Sequence, residues 1–356
     1  MTHILHITET FATGVYVYLK DLTNYFDNHS SFKSTIIYSS NRVETEKSRF
    51  HKDFSKNVAL IEVNMVREIS PILDFKSVRK IISVIGEVKP DIIHCHSSKA
   101  GIIGKFAAIL YPNIKVFYTP HGYSFLREDL SPFKKKLYYS IEKLSSIFLP
   151  GTTIACGDTE YEYAKKLGKS HLVRNGVNIS ELRNFALKNE KTVFTVGTVG
   201  RISFQKNPEL FNKIAELFPK IKFVWVGNGV LHTKLLSENI EVTGWKTRED
   251  VIETVNSFDV YIQTSFWEGL PITILEAMAL EKPIIATNVI GNKDAVKHGE
   301  NGYLCDSLNA FQNYINKLIK DDALRNSLGL NSLKRATLLF DKDKNFEFIK
   351  LIYQGK

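Results

Sequence analysis

Apolar and polar positions alternate along this chain in two rhythms. Short runs rich in β-branched and aromatic residues, ILHIT, STIIYSS, VALIEV, DIIHCH and KVFYTP, recur through the first half. Between them lie VYVYLKDLTNYF, FKSVRKIISVIGEV and KAGIIGKFAAIL, where apolar residues return every three or four positions. The first rhythm predicts strands and the second helices. The alternation begins again in TVFTVGTVG, IKFVWVG, IEVTG, DVYIQTS and PIIATNV, interleaved with NPELFNKIAELF, REDVIETVNSF and ITILEAMAL. Strand and helix in turn imply α/β architecture: two facing, doubly wound, Rossmann-like domains, each a parallel sheet clothed by helices.

Turn residues and charges cluster in RNGVNISELRNFALKNEKT, residues 174–192, and mark the junction. The expected division is a first domain at 1–178, a linker at 179–192, a second domain at 193–340 and a C-terminal helix or tail at 341–356. A chain of 356 residues suits two hydrophobic cores better than one.

In parallel α/β sheets, ligands bind beyond the carboxyl ends of strands. In the first half those ends carry Gly14, His94, His96, Ser97 to Lys99, His121 and Gly122. His94 lies inside a strand pattern and reads as a structural histidine. His121, between Pro120 and Gly122, sits where a strand stops and is expected to face a cleft. The second half offers Arg201, Lys206, Gly227, Gly229, Gly244, Trp245, Glu268 and Glu276. Arg201 and Lys206 share a loop before Asn207-Pro208, so a planar fork and a compact ammonium can meet one diphosphate.

The stretch SFWEGLPITILEAMAL follows a predicted strand. Gly269 lets backbone approach a ligand, Pro271 is expected at the first helical position, and the helix start offers free amides to a phosphate. Glu276 is flanked by Leu275 and Ala277, where a carboxylate needs a hydrogen-bonding partner, and a sugar hydroxyl would be one.

Glu268 and Glu276, with seven residues between them, together with Arg201 and Lys206, resemble the Glu-x7-Glu and Arg/Lys signature of retaining GT-B glycosyltransferases of family four. HITETFATGVYVYL, DIIHCHSSKAG, YTPHG, RNGV, GRISFQKNP, VGNG and NGYL follow in the order expected for bacterial capsule and O-antigen sugar transferases. The resemblance implies transfer of a sugar from a nucleotide sugar, UDP-linked by family frequency, to a glycan hydroxyl, with retention at the anomeric carbon.

By the same resemblance, Arg201 and Lys206 neutralise the donor diphosphate, Glu276 binds the ribose and Glu268 the sugar. The Gly269 and Leu270 amides meet sugar or phosphate oxygens, and His121 orients the sugar. Gly14 lies beneath the phosphates, His96 ends a site strand, and Gly244 with Trp245 reads the base. No cofactor is implied, and cationic side chains stand in for a metal. The chain departs from the family in having Thr13-Gly14 for a Gly-Gly pair, and IGNKDAV for a Gly-Gly-x-x-Glu, which leaves Asn292 and Asp294 without a role. Asp341-x-Asp343 is expected in a solvated, charged tail segment.

Charge and cysteine content narrow the setting. The net charge of +9 is concentrated in residues 1–178, with 24 Lys+Arg and 17 Asp+Glu (24 − 17 = +7), against 23 and 21 in the remainder (23 − 21 = +2). Within residues 133–148, Lys134, Lys135, Lys136 and Lys143 stand beside Leu137, Tyr138, Tyr139, Ile141, Leu144 and Ile147, a basic amphipathic pattern suited to an anionic membrane surface. The expected acceptor is an oligosaccharide or a lipid-linked glycan, held by loops that include residues 42–57 and 122–133. Cys95, Cys156 and Cys305 lack metal-ligand spacing and are expected as reduced thiols. With no export signal or long apolar span, the expected location is the cytoplasm, peripheral on the inner face of the membrane. No basic-aromatic stripe points to nucleic acid. Two other readings share the architecture: a nucleotide-sugar 2-epimerase, which needs acid/base carboxylates from both domains, and a nonenzymatic subunit that binds a nucleotide sugar or a partner transferase.

Overall fold

The computed structural model describes residues 1–29, 31–42, 45, 47–185 and 193–356. These form two compact units, Met1–Arg174 with Phe346–Lys356, and Asn175–Asn345.

The first unit is built on a seven-stranded parallel sheet: β1 (Thr2–Thr8), β2 (Phe32–Tyr38), β3 (Ala59–Glu62), β4 (Ile92–His96), β5 (Lys115–Thr119), β6 (Thr152–Ala155) and β7 (Ser170–Leu172). Their order is β3-β2-β1-β4-β5-β6-β7. The chain therefore leaves β1 in one direction and resumes at β4 in the other, which puts the crevice of a doubly wound sheet beyond the ends of these two strands. Period-two alternation sorts the side chains. Leu5, Ile7, Ile93 and Cys95 enter one core, while Ile4, Ile92 and Phe117 enter the core on the other face. His6, His94 and His96 fall on this second face, with His6 paired in register to His94.

The C-terminal helix Lys342–Gln354 completes that face. Its Phe346, Ile349 and Tyr353 recur at helical spacing and are buried against Tyr18, Leu22, Phe26 and Phe32. The expected charged tail is thus a packed helix whose later turns belong to the first unit, because its apolar stripe completes a core begun at the N-terminus. Asp343 lies in its first turn and its backbone amide donates to the Asp341 carboxylate, so Asp341-x-Asp343 is a helix start rather than a solvated loop.

The second unit carries β8 (Thr195–Val199), β9 (Lys222–Val226), β10 (Ile240–Val242), β11 (Val260–Gln263), β12 (Ile284–Thr287) and β13 (Gly302–Cys305), all parallel, in the order β10-β9-β8-β11-β12-β13. Its switch point lies between β8 and β11. The proposed linker starts as the helix Ile179–Asn184, whose Leu182 is buried in this unit's core. Residues 186–192 of that linker lie outside the described residues, as do 43, 44 and 46 of the expected acceptor segment.

Candidate functional site

The switch point of the second sheet brings two loops side by side. The loop after β8 carries Arg201 and ends in a short turn, Phe204–Lys206, followed by Asn207 in the left-handed region and Pro208 at the start of the next helix. The loop after β11 carries Ser265 to Leu270. Hydrogen bonds join them, among these the Phe266 amide donating to the Gln205 carbonyl at 2.9 Å and the Thr264 hydroxyl donating to the Lys206 carbonyl at 2.7 Å. Gly291, at φ 82°, closes against this assembly. A Cβ there would stand 2.3 Å from the Gly269 carbonyl oxygen and 2.7 Å from the Glu268 Cβ, so only glycine fits.

Glu268 is the centre of this cluster and is buried. Its Oε1 accepts from the Lys206 ammonium at 2.8 Å, from Ser265 Oγ at 2.6 Å and from Gln263 Nε2 at 2.9 Å. Its Oε2 accepts from Gln205 Nε2 at 3.2 Å. A carboxylate with four donors is held in one rotamer, and it in turn fixes the ammonium. Lys206 uses one of its three N–H groups on Glu268, and no other acceptor for the ammonium appears among the described residues.

Glu276 lies in the helix Ile272–Ala279, also buried, and accepts from the Arg248 guanidinium. The partner expected of a ligand is therefore supplied within the chain. Arg248 opens the helix Arg248–Asn256, which follows the turn holding Gly244 and Trp245. Gly244 takes φ 73° with open space where a Cβ would stand, bridges Gly227 across the sheet end, and leaves Trp245 exposed. Pro271 flanks the helix rather than occupying its first position. Leu270 is buried in the core, with its carbonyl accepting from Asn175 Nδ2 at 3.0 Å. Asn292 is buried as well, donating to the Thr287 carbonyl and hydroxyl, a structural post.

The corresponding end of the first sheet holds Gly14, His96 and His121. Gly14 lies in the first turn of the helix Thr13–Asp27, exposed, with nothing within 4 Å of a would-be Cβ. His96 shares a hydrogen bond through Nδ1 with His121 Nε2 at 3.2 Å, and through Nε2 with His6 Nδ1 at 3.1 Å. Burial pushes His6 and His121 down to about 3 and His96 far below its ordinary range, so the three rings are neutral. Each neutral ring carries one N–H, and the buried His6 Nε2 has no partner. A bare lone pair is tolerated there better than an orphaned N–H. His6 therefore donates to His96 and His96 to His121, which leaves the His121 proton on Nδ1. His121, at φ 54° and edge-on to the Tyr18 ring, is thereby set as a hydrogen-bond donor at Nδ1.

His94 is the structural histidine expected, with Nδ1 on Tyr353 at 2.5 Å and Nε2 on Thr119 at 2.9 Å. The nitrogens of His6, His94 and His96 lie within 4.8 Å of one another, close enough to hold a metal ion. Both nitrogens of His94 and of His96 are instead committed to hydrogen bonds, and the cluster is fully buried. Sequence reasoning missed Gln205, Gln263, Ser265, Arg248 and His6. A glutamine ending the apolar run VYIQ was the one visible signal.

Comparison with known proteins places this geometry in context. A family model described as glycosyl transferases group 1 matches residues 179–335, and one described as glycosyltransferase family 4 matches residues 12–181. An Escherichia coli UDP-Gal:alpha-D-GlcNAc-diphosphoundecaprenol alpha-1,3-galactosyltransferase is 31% identical over 322 residues, covering 81% of each chain. The capsular polysaccharide biosynthesis glycosyltransferase CapM of Staphylococcus aureus is 28% identical over 85% of this chain and 86% of its own. Among solved structures, sucrose-phosphate synthase from Thermosynechococcus elongatus superposes with a TM-score of 0.83 at 18% identity, over 100% of this chain and 99% of its own. Anabaena HepE, solved with UDP and glucose, superposes at 0.81 and 18% identity over the whole of both chains.

Proposed function

From a chain that belongs to the group 1, family 4 glycosyltransferases of GT-B fold, we propose the transfer of a hexosyl or N-acetylhexosaminyl group from a UDP-sugar to a hydroxyl of a lipid-diphosphate-linked glycan, with retention, in bacterial surface polysaccharide assembly. The observation that carries this reading is the Lys206–Glu268 pair at the β8/β11 switch point, its carboxylate buried and its ammonium partly exposed. A lysine held on a four-donor carboxylate, on the same loop as Arg201, is a preorganised cation for a diphosphate that gains charge as it leaves.

The bond from the anomeric carbon to the β-phosphate oxygen breaks, and Lys206 and Arg201 stabilise the departing UDP. The acceptor oxygen forms its bond on the same face and passes its proton to that phosphate oxygen. Glu268 receives hydroxyls of the transferred sugar, Glu276 with Arg248 meets the ribose, and the His121 Nδ1–H orients the sugar. The sequence resemblance supports these roles.

The helix Pro132–Phe148 supports a peripheral location on an anionic leaflet. Phe133, Leu137, Leu144, Ile147 and Phe148 are exposed. At about 100° per residue they share an arc of about 100°, flanked by Lys136 and Lys143. Among the described residues, no helix is long and apolar enough to cross a membrane.

Incubation with UDP-sugars and a prenyl-diphosphate-linked sugar, followed by NMR of the new linkage, tests the reaction. The expected product keeps the donor's anomeric configuration. An inverted product would overturn retention, and absence of transfer from every UDP-sugar would overturn the donor class.

A further inference from the structure

The first unit holds a cavity of about 350 Å³ walled by the helices Pro71–Val88, Ser98–Ala108 and Pro132–Phe148. Its volume falls within the ~300–1,000 Å³ of small-ligand sites. Ser98 and Lys99 reach it from the end of β4, two and three residues after His96, and Ser124 and Arg127 from the loop that begins at His121. The cavity thus opens from the same sheet end as His96 and His121.

Its charges do not cancel. Lys99 is bound to Asp74 and Arg127 to Asp129. Arg67 and Lys134 also line the wall, and neither has an ion-pair partner among the described residues. Partial burial lowers the Arg67 guanidinium's proton affinity, and the neighbouring Arg127 and Arg42 lower it further. Glu9 pairs with Arg42 and Asp129 with Arg127, and both also offset the Arg67 charge; the wall itself holds four cations, Arg67, Lys99, Arg127 and Lys134, against the carboxyl groups of Glu68, Asp74 and Glu142. At the floor, Glu142 is buried beneath the Tyr118 hydroxyl, and burial raises its carboxyl above the usual range, towards the uncharged form. Four cations face three carboxyl groups, one of them pushed by burial towards its uncharged form, and this leaves an excess of positive charge that an anion can meet.

The same helix that supplies Lys134, Tyr138, Ile141 and Glu142 to the cavity carries its exposed apolar stripe on the adjoining arc. Ile141, at the cavity edge, follows Phe133 around the helix by only about 80°. The ligand that fits both surfaces has a phosphate-bearing head and an extended hydrocarbon. We propose that this cavity receives the diphosphate of the lipid-linked acceptor, with Arg67 and Lys134 on its oxygens and its hydrocarbon leaving along Phe133, Leu137 and Leu144. This rests on the transferase reading for the acceptor's identity, though not for the site's existence.

The intact chain titrated with geranyl diphosphate tests the proposal without any turnover. Saturable binding is expected, weakened about tenfold or more in Arg67→Gln and in Lys134→Gln, with UDP affinity unchanged in both. Inorganic pyrophosphate is expected to bind far more weakly, for want of the hydrocarbon. Phosphatidylglycerol vesicles are expected to adsorb the wild type and Arg67→Gln alike. Geranyl diphosphate binding that ignores both substitutions would overturn the site. Equal affinity for pyrophosphate would overturn the lipid-linked class, and vesicle adsorption lost in Arg67→Gln, with no geranyl diphosphate binding, would make it a phospholipid headgroup site instead.

Turnover separates this proposal from the transferase reading. Transfer whose acceptor KM is unmoved in Arg67→Gln removes the site and keeps the enzyme. Arg67-dependent geranyl diphosphate binding in a chain that transfers no sugar keeps the site and removes the enzyme.

Discussion

Replacing Lys206 by methionine isolates what the Lys206–Glu268 pair does. At 2.8 Å the attraction is about 6 kcal/mol with an effective dielectric constant of roughly 20. Desolvation offsets much of it, yet removing one partner of a buried pair typically costs about 3–5 kcal/mol, because the other charge remains. Glu268 keeps three neutral donors, Ser265, Gln263 and Gln205, so the lower end applies, about 2–3 kcal/mol. For a domain of this size that lowers Tm by about 5–10 °C.

The second substitution, Glu268→Gln, supplies the control. Alone it leaves an ammonium without its anion. Combined with Lys206→Met it removes the stranded carboxylate, and the amide can still meet Ser265 and Gln263. Thermal unfolding of the four proteins forms a cycle in which the double variant is expected to be about 1–2 kcal/mol more stable than Lys206→Met. Transfer activity is expected to stay lost in all three variants, since the diphosphate cation or the sugar acceptor group is missing. A Lys206→Met protein that melts with the wild type, or a double variant no more stable than it, would refute the account of the pair.

Three further outcomes follow from named contacts. His6, His94 and His96 are fully buried and held below their unfolded value of 6.5, so the unfolded chain binds more protons than the native one as pH falls below that value. Stability is present above 6.5 and is lost towards about 3; at ~1.4 kcal/mol per ring per pH unit, moving from pH 7.5 to about 5.5 removes about 4 kcal/mol. A Tm unchanged over that interval would contradict neutral burial. Gly291→Ala forces a Cβ onto the Gly269 carbonyl at positive φ, with an expected loss of ~1–3 kcal/mol and a fall in kcat as Glu268 shifts, seen by unfolding and steady-state kinetics. Replacing Lys136 and Lys143 by Glu is expected to abolish sedimentation with anionic liposomes, each lysine contributing ~1 kcal/mol; undiminished sedimentation would place the membrane surface elsewhere.

Much of the fold was legible because periodicity is local. Ten of the strand runs were visible as β-rich stretches, from ILHIT to PIIATNV, and their alternation with helices implied the two parallel sheets. TTIA, SHL and GYLC were too short to stand out, so β6, β7 and β13 went unseen. The C-terminal helix was partly hidden by Lys342, Asp343 and Lys344 at its start, and nothing local reveals that Tyr353 meets His94, 259 residues away. The site divides in the same way. Lys206, Glu268 and Glu276 were visible as polar residues where apolar runs end, but not the contacts of Lys206 with Glu268 or Arg248 with Glu276, which depend on adjacent strand ends. His6 was invisible because a lone histidine in a strand carries no pattern of its own, and its meaning lies in the bond to His96.

The most direct test of the central claim, that the polar set of the second unit is a UDP-sugar site, is calorimetric titration of UDP into the wild-type chain and Glu276→Gln. One saturable site is predicted for the wild type, with affinity reduced about tenfold to a hundredfold in the variant through loss of the charged hydrogen bonds to ribose. UDP that fails to bind the wild type, or binds Glu276→Gln equally well, would contradict it.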